Sequence, residues 1–222
     1  MKRTILASLA LFVVVVAPLL LAGCGTSPHS KYYVLNAVKA QDVSGKVTSD
    51  PHAVALAVGP VTIPDYLDRP QIVTHLAPNE LAINEYDRWS GSLREDVERV
   101  LIENLSGLLA SERVLVVSWQ RRTTGGYRVG IEVNRFEAVS SGSVILKAVW
   151  GVASHDASKV FVTQAFSINQ PLSGKDYSAV VAGMSQALGA LSQEIATSVK
   201  SLIATRGIQP PTGTTPDPGK KK

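Results

Sequence analysis

Seven apolar residues, Val180, Met184, Leu188, Leu191, Ile195, Val199 and Leu202, recur at steps of three or four between Tyr177 and Ala204. That period places them on one stripe of an α-helix. A helix of this length extends about 42 Å, at 1.5 Å per residue, so the fold must supply an apolar floor of comparable length. Gly183 and Gly189 weaken helix propensity but admit close packing. A second stripe, Leu93, Val97, Leu101, Leu105 and Leu108 joined by Val100 and Leu109, begins after Ser92, which has capping-box spacing to Glu95. Arg94, Glu95, Glu98 and Arg99 fall on the other side of that helix and are expected to face solvent.

The floor is legible as strand segments rich in β-branched and aromatic residues: Lys31 to Leu35, Ala53 to Val61, Gln71 to Thr74, Leu81 to Tyr86, Val114 to Trp119, Tyr127 to Glu137, Ser143 to Ala153 and Lys159 to Ile168. In the sixth, Val129, Ile131 and Val133, with Arg135 next in line, alternate against Arg128, Glu132 and Asn134, the pattern of a sheet with one dry face. Gln71 to Thr74 and Leu81 to Tyr86 are predicted to form a hairpin, as are the last two segments around a turn at Ser154 to Ser158. Pro60 and Pro64 carry no amide hydrogen and are disfavoured in a central strand. Ala40 to Pro51 is predicted as a loop. No repeat or second apolar core occurs. The expectation is one compact α/β domain, its mixed or largely antiparallel sheet packed by two main helices.

Lys2 and Arg3 precede an apolar run from Ile5 to Leu21, which ends at Leu21-Ala22-Gly23-Cys24. Charge, apolar stretch and small-residue border are the three parts of a secretory leader. Cys24 is the single cysteine of the 222 residues, so no internal disulfide can form. Placed directly after that border, as in a bacterial lipobox, its thiol is expected to carry a thioether-linked diacylglycerol, and the new amino terminus an acyl chain. Several chains on one terminus hold a protein far more firmly than one. The alternative is an uncleaved anchor, for which about 17 apolar residues barely suffice. The expected organisation is a leader over 1–23, a lipidated tether over 24–30, an α/β domain over 31–206 and a disordered Pro/Thr/Gly/Lys tail over 207–222. Gly25, rather than Asp, follows the cysteine; by the sorting rule of diderm bacteria this favours the periplasmic face of the outer membrane.

Charge excludes one broad class of partner. The net charge is +4, yet residues 24–206 hold 17 basic and 17 acidic side chains, the excess lying in the leader and in Lys220, Lys221 and Lys222. A nucleic-acid-binding body needs a concentrated basic field that this one lacks. The three terminal lysines fit either a solubilising tail or contact with anionic headgroups.

Catalytic patterns are missing. His29, His52, His75 and His155 form no His-Glu-x-x-His pair, and no second thiolate is present for a metal site. Neither a Gly-x-Ser-x-Gly elbow nor a phosphate-binding loop occurs; Ser173-Gly174-Lys175 lacks the required glycine spacing. No catalytic residue, resident cofactor or metal is expected.

Two features remain as binding candidates. Val58-Gly59-Pro60-Val61-Thr62-Ile63-Pro64 leads into Asp65-Tyr66-Leu67-Asp68-Arg69-Pro70, a proline-stiffened corner. Tyr66, Leu67, Asp68 and Arg69 either fasten that corner or present it to a protein partner, since aromatic and Arg anchors contribute most where water is excluded. Trp89 is either a staple against the core or an interface anchor. Met184 and Leu188 belong to the helix stripe or line an apolar cavity.

These segments, in this order, resemble the ABC-type transport auxiliary lipoprotein family of the PqiC/YmbA type. The resemblance rests on the lipobox with Cys24, Tyr32-Tyr33-Val34-Leu35, Val58-Gly59-Pro60-Val61, Asp68-Arg69-Pro70-Gln71-Ile72-Val73, and Asp87-Arg88-Trp89 leading into the first helix; Met184-Ser185-Gln186-Ala187-Leu188 agrees more loosely. It implies an outer-membrane adaptor, acylated at Cys24, that partners an MCE-domain periplasmic protein in moving membrane phospholipid or other hydrophobic molecules, with assembly into a homo-oligomeric ring. A periplasmic lipid-binding carrier and a structural envelope lipoprotein are the alternatives.

Overall fold

The computed structural model describes residues 28–38, 53–121 and 126–206. Cys24, the leader, most of the tether, the predicted 40–51 loop and the tail lie outside the described residues. The described residues from Lys31 onward form one compact unit. Its elements are β1 (Lys31–Tyr33), β2 (Val54–Thr62), β3 (Gln71–Ala77), β4 (Glu80–Trp89), α1 (Leu93–Leu108), a 3-10 turn (Ala110–Glu112), β5 (Val114–Ser118), β6 (Tyr127–Val139), β7 (Ser143–Ser154), β8 (Val160–Pro171) and α2 (Tyr177–Arg206).

The strands make one mixed sheet organised around β6, the longest of them. Along one edge β6 pairs antiparallel with β7, which pairs antiparallel with β8. Along its other edge β6 takes two parallel partners in succession: β2 pairs through Thr62 opposite Glu132, and β3 through Thr74 opposite Ala138. β5 flanks β2, while β4 and then β1 flank β3. Both predicted hairpins are present. β2 is an interior strand between β6 and β5. Pro60 is accommodated where the β2–β6 register shifts between Val58 and Val61, so its missing amide hydrogen interrupts no regular ladder.

A second register shift, between Val133 and Arg135, corrects the expected alternation in β6. Val129, Ile131 and Val133 are buried as predicted, but beyond the bulge Phe136 and Ala138 take over the core-facing positions and Arg135 does not.

Both helices lie against the sheet: α1 on β2 and β5, α2 on β6, β7 and β8, and the helices pack on each other. The predicted stripes form the core, with Leu93, Val97, Val100, Leu101 and Leu105 from α1 and Val180, Met184, Leu188, Leu191, Ile195 and Val199 from α2. Leu109, just past the helix, is fully buried while Leu108 is only half-buried. Ser92 caps α1, its hydroxyl oxygen accepting from the Glu95 amide at 3.4 Å. Trp150 of β7 donates from Nε1 to Glu194 of α2 at 3.1 Å, which satisfies the indole N–H of an otherwise buried ring. The two glycines of α2 mark close approaches: a Cβ at Gly183 would fall 2.6 Å from Leu172 Cδ2, and one at Gly189 would fall 3.1 Å from Val38.

Val38 belongs to a strap. The chain leaves the sheet after Tyr33, two residues earlier than predicted, and crosses the helix layer. Its amides bond to side chains instead of to a strand: Leu35 to Asp96 Oδ2 at 2.8 Å, Asn36 to Ser185 Oγ at 3.1 Å and Val38 to Asn104 Oδ1 at 3.0 Å. The Leu35 carbonyl accepts from Arg99 at 2.6 Å, and Arg99 also pairs with Asp96 and Glu103. Thus Arg94 and Glu95 are solvated as expected, whereas Arg99 is only partly so. It is partly buried because it fastens the strap. Glu98 too is engaged, accepting from Ser118 Oγ.

Leu35 itself is fully buried among the residues of the core. Leu35→Ala removes that anchor, and urea unfolding should show a loss of about 3 kcal/mol; a loss below about 1 kcal/mol would mean that the strap is not part of the cooperative core.

Candidate functional site: the corner, the buried Glu137 and a cleft at the end of the sheet

Between its pairing with β2 and its pairing with β3, β6 runs through residues 133–137 without a strand on that edge. Over this gap the chain makes the corner of residues 63–70, tightened by the Leu67 amide to the Pro64 carbonyl (2.9 Å) and the Asp68 amide to the Asp65 carbonyl (3.2 Å). Tyr66 donates its phenol to Glu137 Oε2 at 2.8 Å, and the Phe136 amide donates to the same oxygen at 3.1 Å. Arg135 Nε bonds to Oε1, and His75 Nδ1 lies 3.2 Å from that atom, close enough for a charge contact but not aligned for a hydrogen bond. Glu137 is wholly buried. Its carboxyl therefore serves as the partner that a strand would otherwise provide.

The corner candidates separate into supporting and exposed groups. Leu67 is buried in the core, and Tyr66 is half-buried against it. Trp89 is buried too, with its amide donating to the Pro70 carbonyl at 2.7 Å, so it takes the place of the core staple. Asp68 and Arg69 are exposed. Burial pushes the Tyr66 phenol well above its ordinary value, and the Glu137 carboxyl pushes it the same way.

Met184 and Leu188 pack in the core. Between sheet and helices, the opening bounded by Val54, Tyr127 and Val199 holds only about 10 Å³, too little for a lipid chain. A larger cleft of about 500 Å³ lies at the end of the sheet, formed by the end of β3, the β6–β7 turn and the loop before α2. Tyr177 lines it and packs against Tyr33 of β1, ring centroids 6.4 Å apart. Tyr33 donates to Asp87 at 2.8 Å; burial first, and then Asp87, push its phenol up to about 12.

The profile of the ABC-type transport auxiliary lipoprotein component family matches residues 33–196. The chain belongs to that family. It is 29% identical over 140 residues to the Intermembrane transport lipoprotein PqiC of Escherichia coli (strain K12), covering 63% of this chain and 72% of that protein, and equally to PqiC of Shigella flexneri. The fold is similar to a crystal structure of an uncharacterized protein (TM-score 0.65, 20% identity, covering 78% of this chain and 99% of the other). It is also similar to a crystal structure of a Xanthomonas campestris protein (TM-score 0.53, 19% identity, 79% and 99% covered). The family is one of auxiliary transport components, which agrees with a binding rather than a catalytic role. No helix among the described residues is long and apolar enough to cross a membrane.

Sequence reasoning missed Glu137, Asn104 and Ser185 as the partners of strandless backbone. The only prior signal was a polar residue inside an otherwise apolar stripe, which Asn104 provides and Glu137 does not. Tyr66→Phe leaves Glu137 short of one donor inside the protein and should cost about 2 kcal/mol in urea unfolding; an unchanged midpoint would show that water replaces the phenol. Tyr33 holds its proton more tightly folded than unfolded. Its contribution is therefore complete below about pH 10 and is lost as pH rises toward about 12. Stability should fall over that interval, and less steeply in Tyr33→Phe; an identical slope in the variant would exclude Tyr33 as a source.

Proposed function

We propose that this chain is an outer-membrane lipoprotein of the PqiC/YmbA type, acylated at Cys24, that acts as an adaptor in an intermembrane transport system. The observation that carries the reading is the family match over residues 33–196 directly downstream of a cysteine placed at a leader border. In this reading residues 1–23 are removed, diacylglycerol and an acyl chain on Cys24 hold the protein to the periplasmic face, and residues 207–222 form a free tail. Seven residues from Cys24 to Lys31 span at most about 25 Å, so the domain stays close to its leaflet. An intermembrane role is supported by the likeness to the E. coli relative, an intermembrane transport lipoprotein.

The partner in this reading is an MCE-domain periplasmic protein whose distal end the domain captures, so that lipid or another hydrophobic molecule passes along the assembly without reacting. Asp68 and Arg69 supply the exposed contacts of the corner. Tyr66, Leu67 and Trp89 stiffen it from beneath, which lowers the ordering cost of an interface. Homo-oligomeric ring assembly belongs to the same reading. It is supported by β8, a twelve-residue strand paired only with β7 among the described residues, since a free edge offers a row of donors and acceptors to a neighbour.

Cys24→Ser should remove the acyl mass from the intact protein and deplete it from the outer-membrane fraction. In the acylated protein, native crosslinking should recover an MCE-domain partner, with recovery falling at least about fivefold in Arg69→Glu, the scale of one lost charged contact. Unmodified Cys24 in the native protein would sink the anchoring step, and absence of any MCE-domain protein among the crosslinks would sink the adaptor step.

A further inference from the structure

We infer that the cleft at the end of the sheet binds the headgroup and upper acyl region of an anionic phospholipid from the leaflet that carries the Cys24 anchor. The inference rests on the lipid-anchored reading above for the source of its ligand, and on the cleft itself for the chemistry.

The cleft holds about 500 Å³, within the range of small-molecule sites, and its lining is divided by polarity. Ala138 and Val180 form buried wall, and Leu172 and Val139 are half-buried. Ser140, Ser141 and Lys175 are exposed at the rim beside Leu76, itself 51% exposed. An apolar wall under hydroxyls and a mobile ammonium suits an amphiphile with a negative head.

Among the described residues no carboxylate lines the cleft. The two nearest in sequence to lining residues are otherwise committed. Asp176 Oδ1 accepts from the Ala179 amide at 2.9 Å in capping α2, and Glu137 is wholly buried under Tyr66 and Arg135. Lys175 is thus free to serve an anion, and the described residues include no ion pair that engages it.

Position identifies the source of that anion. β1 pairs parallel with Asp87 to Trp89, the last three residues of β4, at the end away from the β3–β4 turn. Tyr33, two residues into β1, packs on the Tyr177 that lines the cleft. The tether therefore joins the domain at a strand that packs on the Tyr177 wall of the cleft. Because that tether can extend at most about 25 Å, phospholipid headgroups of the anchoring leaflet are the anions held at the highest local concentration near Lys175.

The test uses the full-length purified protein in detergent, titrated with dihexanoylphosphatidylglycerol and followed by phosphorus NMR line broadening. Saturable binding is expected. It should weaken about tenfold when the lipid is dihexanoylphosphatidylcholine, about tenfold in Lys175→Glu, and several-fold in Leu76→Ser, corresponding to the loss of one charged or one apolar contact. Both side chains are exposed, so neither variant threatens folding. Equal binding of the zwitterionic lipid, or binding indifferent to Lys175→Glu, would overturn the inference. Inorganic phosphate binding as tightly as the lipid would also overturn it by assigning the site to a free anion. The titration does not depend on acylation of Cys24: an unacylated protein that binds the lipid keeps the cleft and loses the anchor, and an acylated protein that does not bind keeps the anchor and loses the cleft.

Discussion

A backbone amide buried without a partner costs about 1–3 kcal/mol, and two parts of this chain find their amide partners away from any strand. One is the strap after β1, whose amides at Leu35, Asn36 and Val38 are met by Asp96, Ser185 and Asn104. The other is the middle of β6, where the Phe136 amide is met by Glu137. Both arise from the same topological fact. β2 and β3 share one edge of β6 in succession, so the chain must leave the sheet between them, and β1 is placed so far out on the β3 side that the residues after it must cross the helices to return. The buried Asn104, Glu137 and Ser185 take their roles from these excursions.

The strap also changes what the amino terminus can bear. β1 pairs over only three residues, and a three-residue edge strand alone is easily peeled from a sheet. Beyond it, a buried leucine and a charged group on α1 hold the chain against the helices: Leu35 fills the core while Arg99 grips its carbonyl. A pull on the residues before β1 would load that strand first and, once it is peeled, would be carried into both α1 and α2. The strap thus adds the helix layer to the resistance of a three-residue edge strand.

The parts of the fold governed by local periodicity were legible in the sequence. Both helix stripes, the Ser92 cap, the two hairpins and the Ser154–Ser158 turn each follow from residues within a few positions of one another. The turn shows why: Asp156 accepts from Ser154 Oγ at 2.6 Å and from the Ser158 amide at 3.1 Å, bonds that hold its carboxyl down at about 2. What was not legible depended on distant partners. The β6 bulge reverses the faces after Val133, so Arg135 and Phe136 exchange the roles that strict alternation gives them. Arg99 looks solvated until the strap, 64 residues earlier in sequence, is laid over it. In the corner, the residue types did identify a stiff, specifically built segment. They did not distinguish Leu67 and Trp89, which face inward, from Asp68 and Arg69, which face out, because a corner has no period to set its sides.

That division bears on how a domain of this kind can take part in transport. With Met184 and Leu188 packed in the core and about 10 Å³ in the opening bounded by Val54, Tyr127 and Val199, admitting an acyl chain there would separate α2 from the sheet and forfeit burial that holds the domain together. Passage along such a protein is better served by its surface or by a space enclosed by several copies. The surface is suited to that in one respect: groups that could contact a partner or a lipid stand on elements braced from within. The corner is fixed by Tyr66 on a fully buried carboxyl, and the cleft is bordered by His75, which touches that same carboxyl. Glu137 consequently links the two surfaces through one rigid group, so a change that loosens the corner also loosens the wall of the cleft.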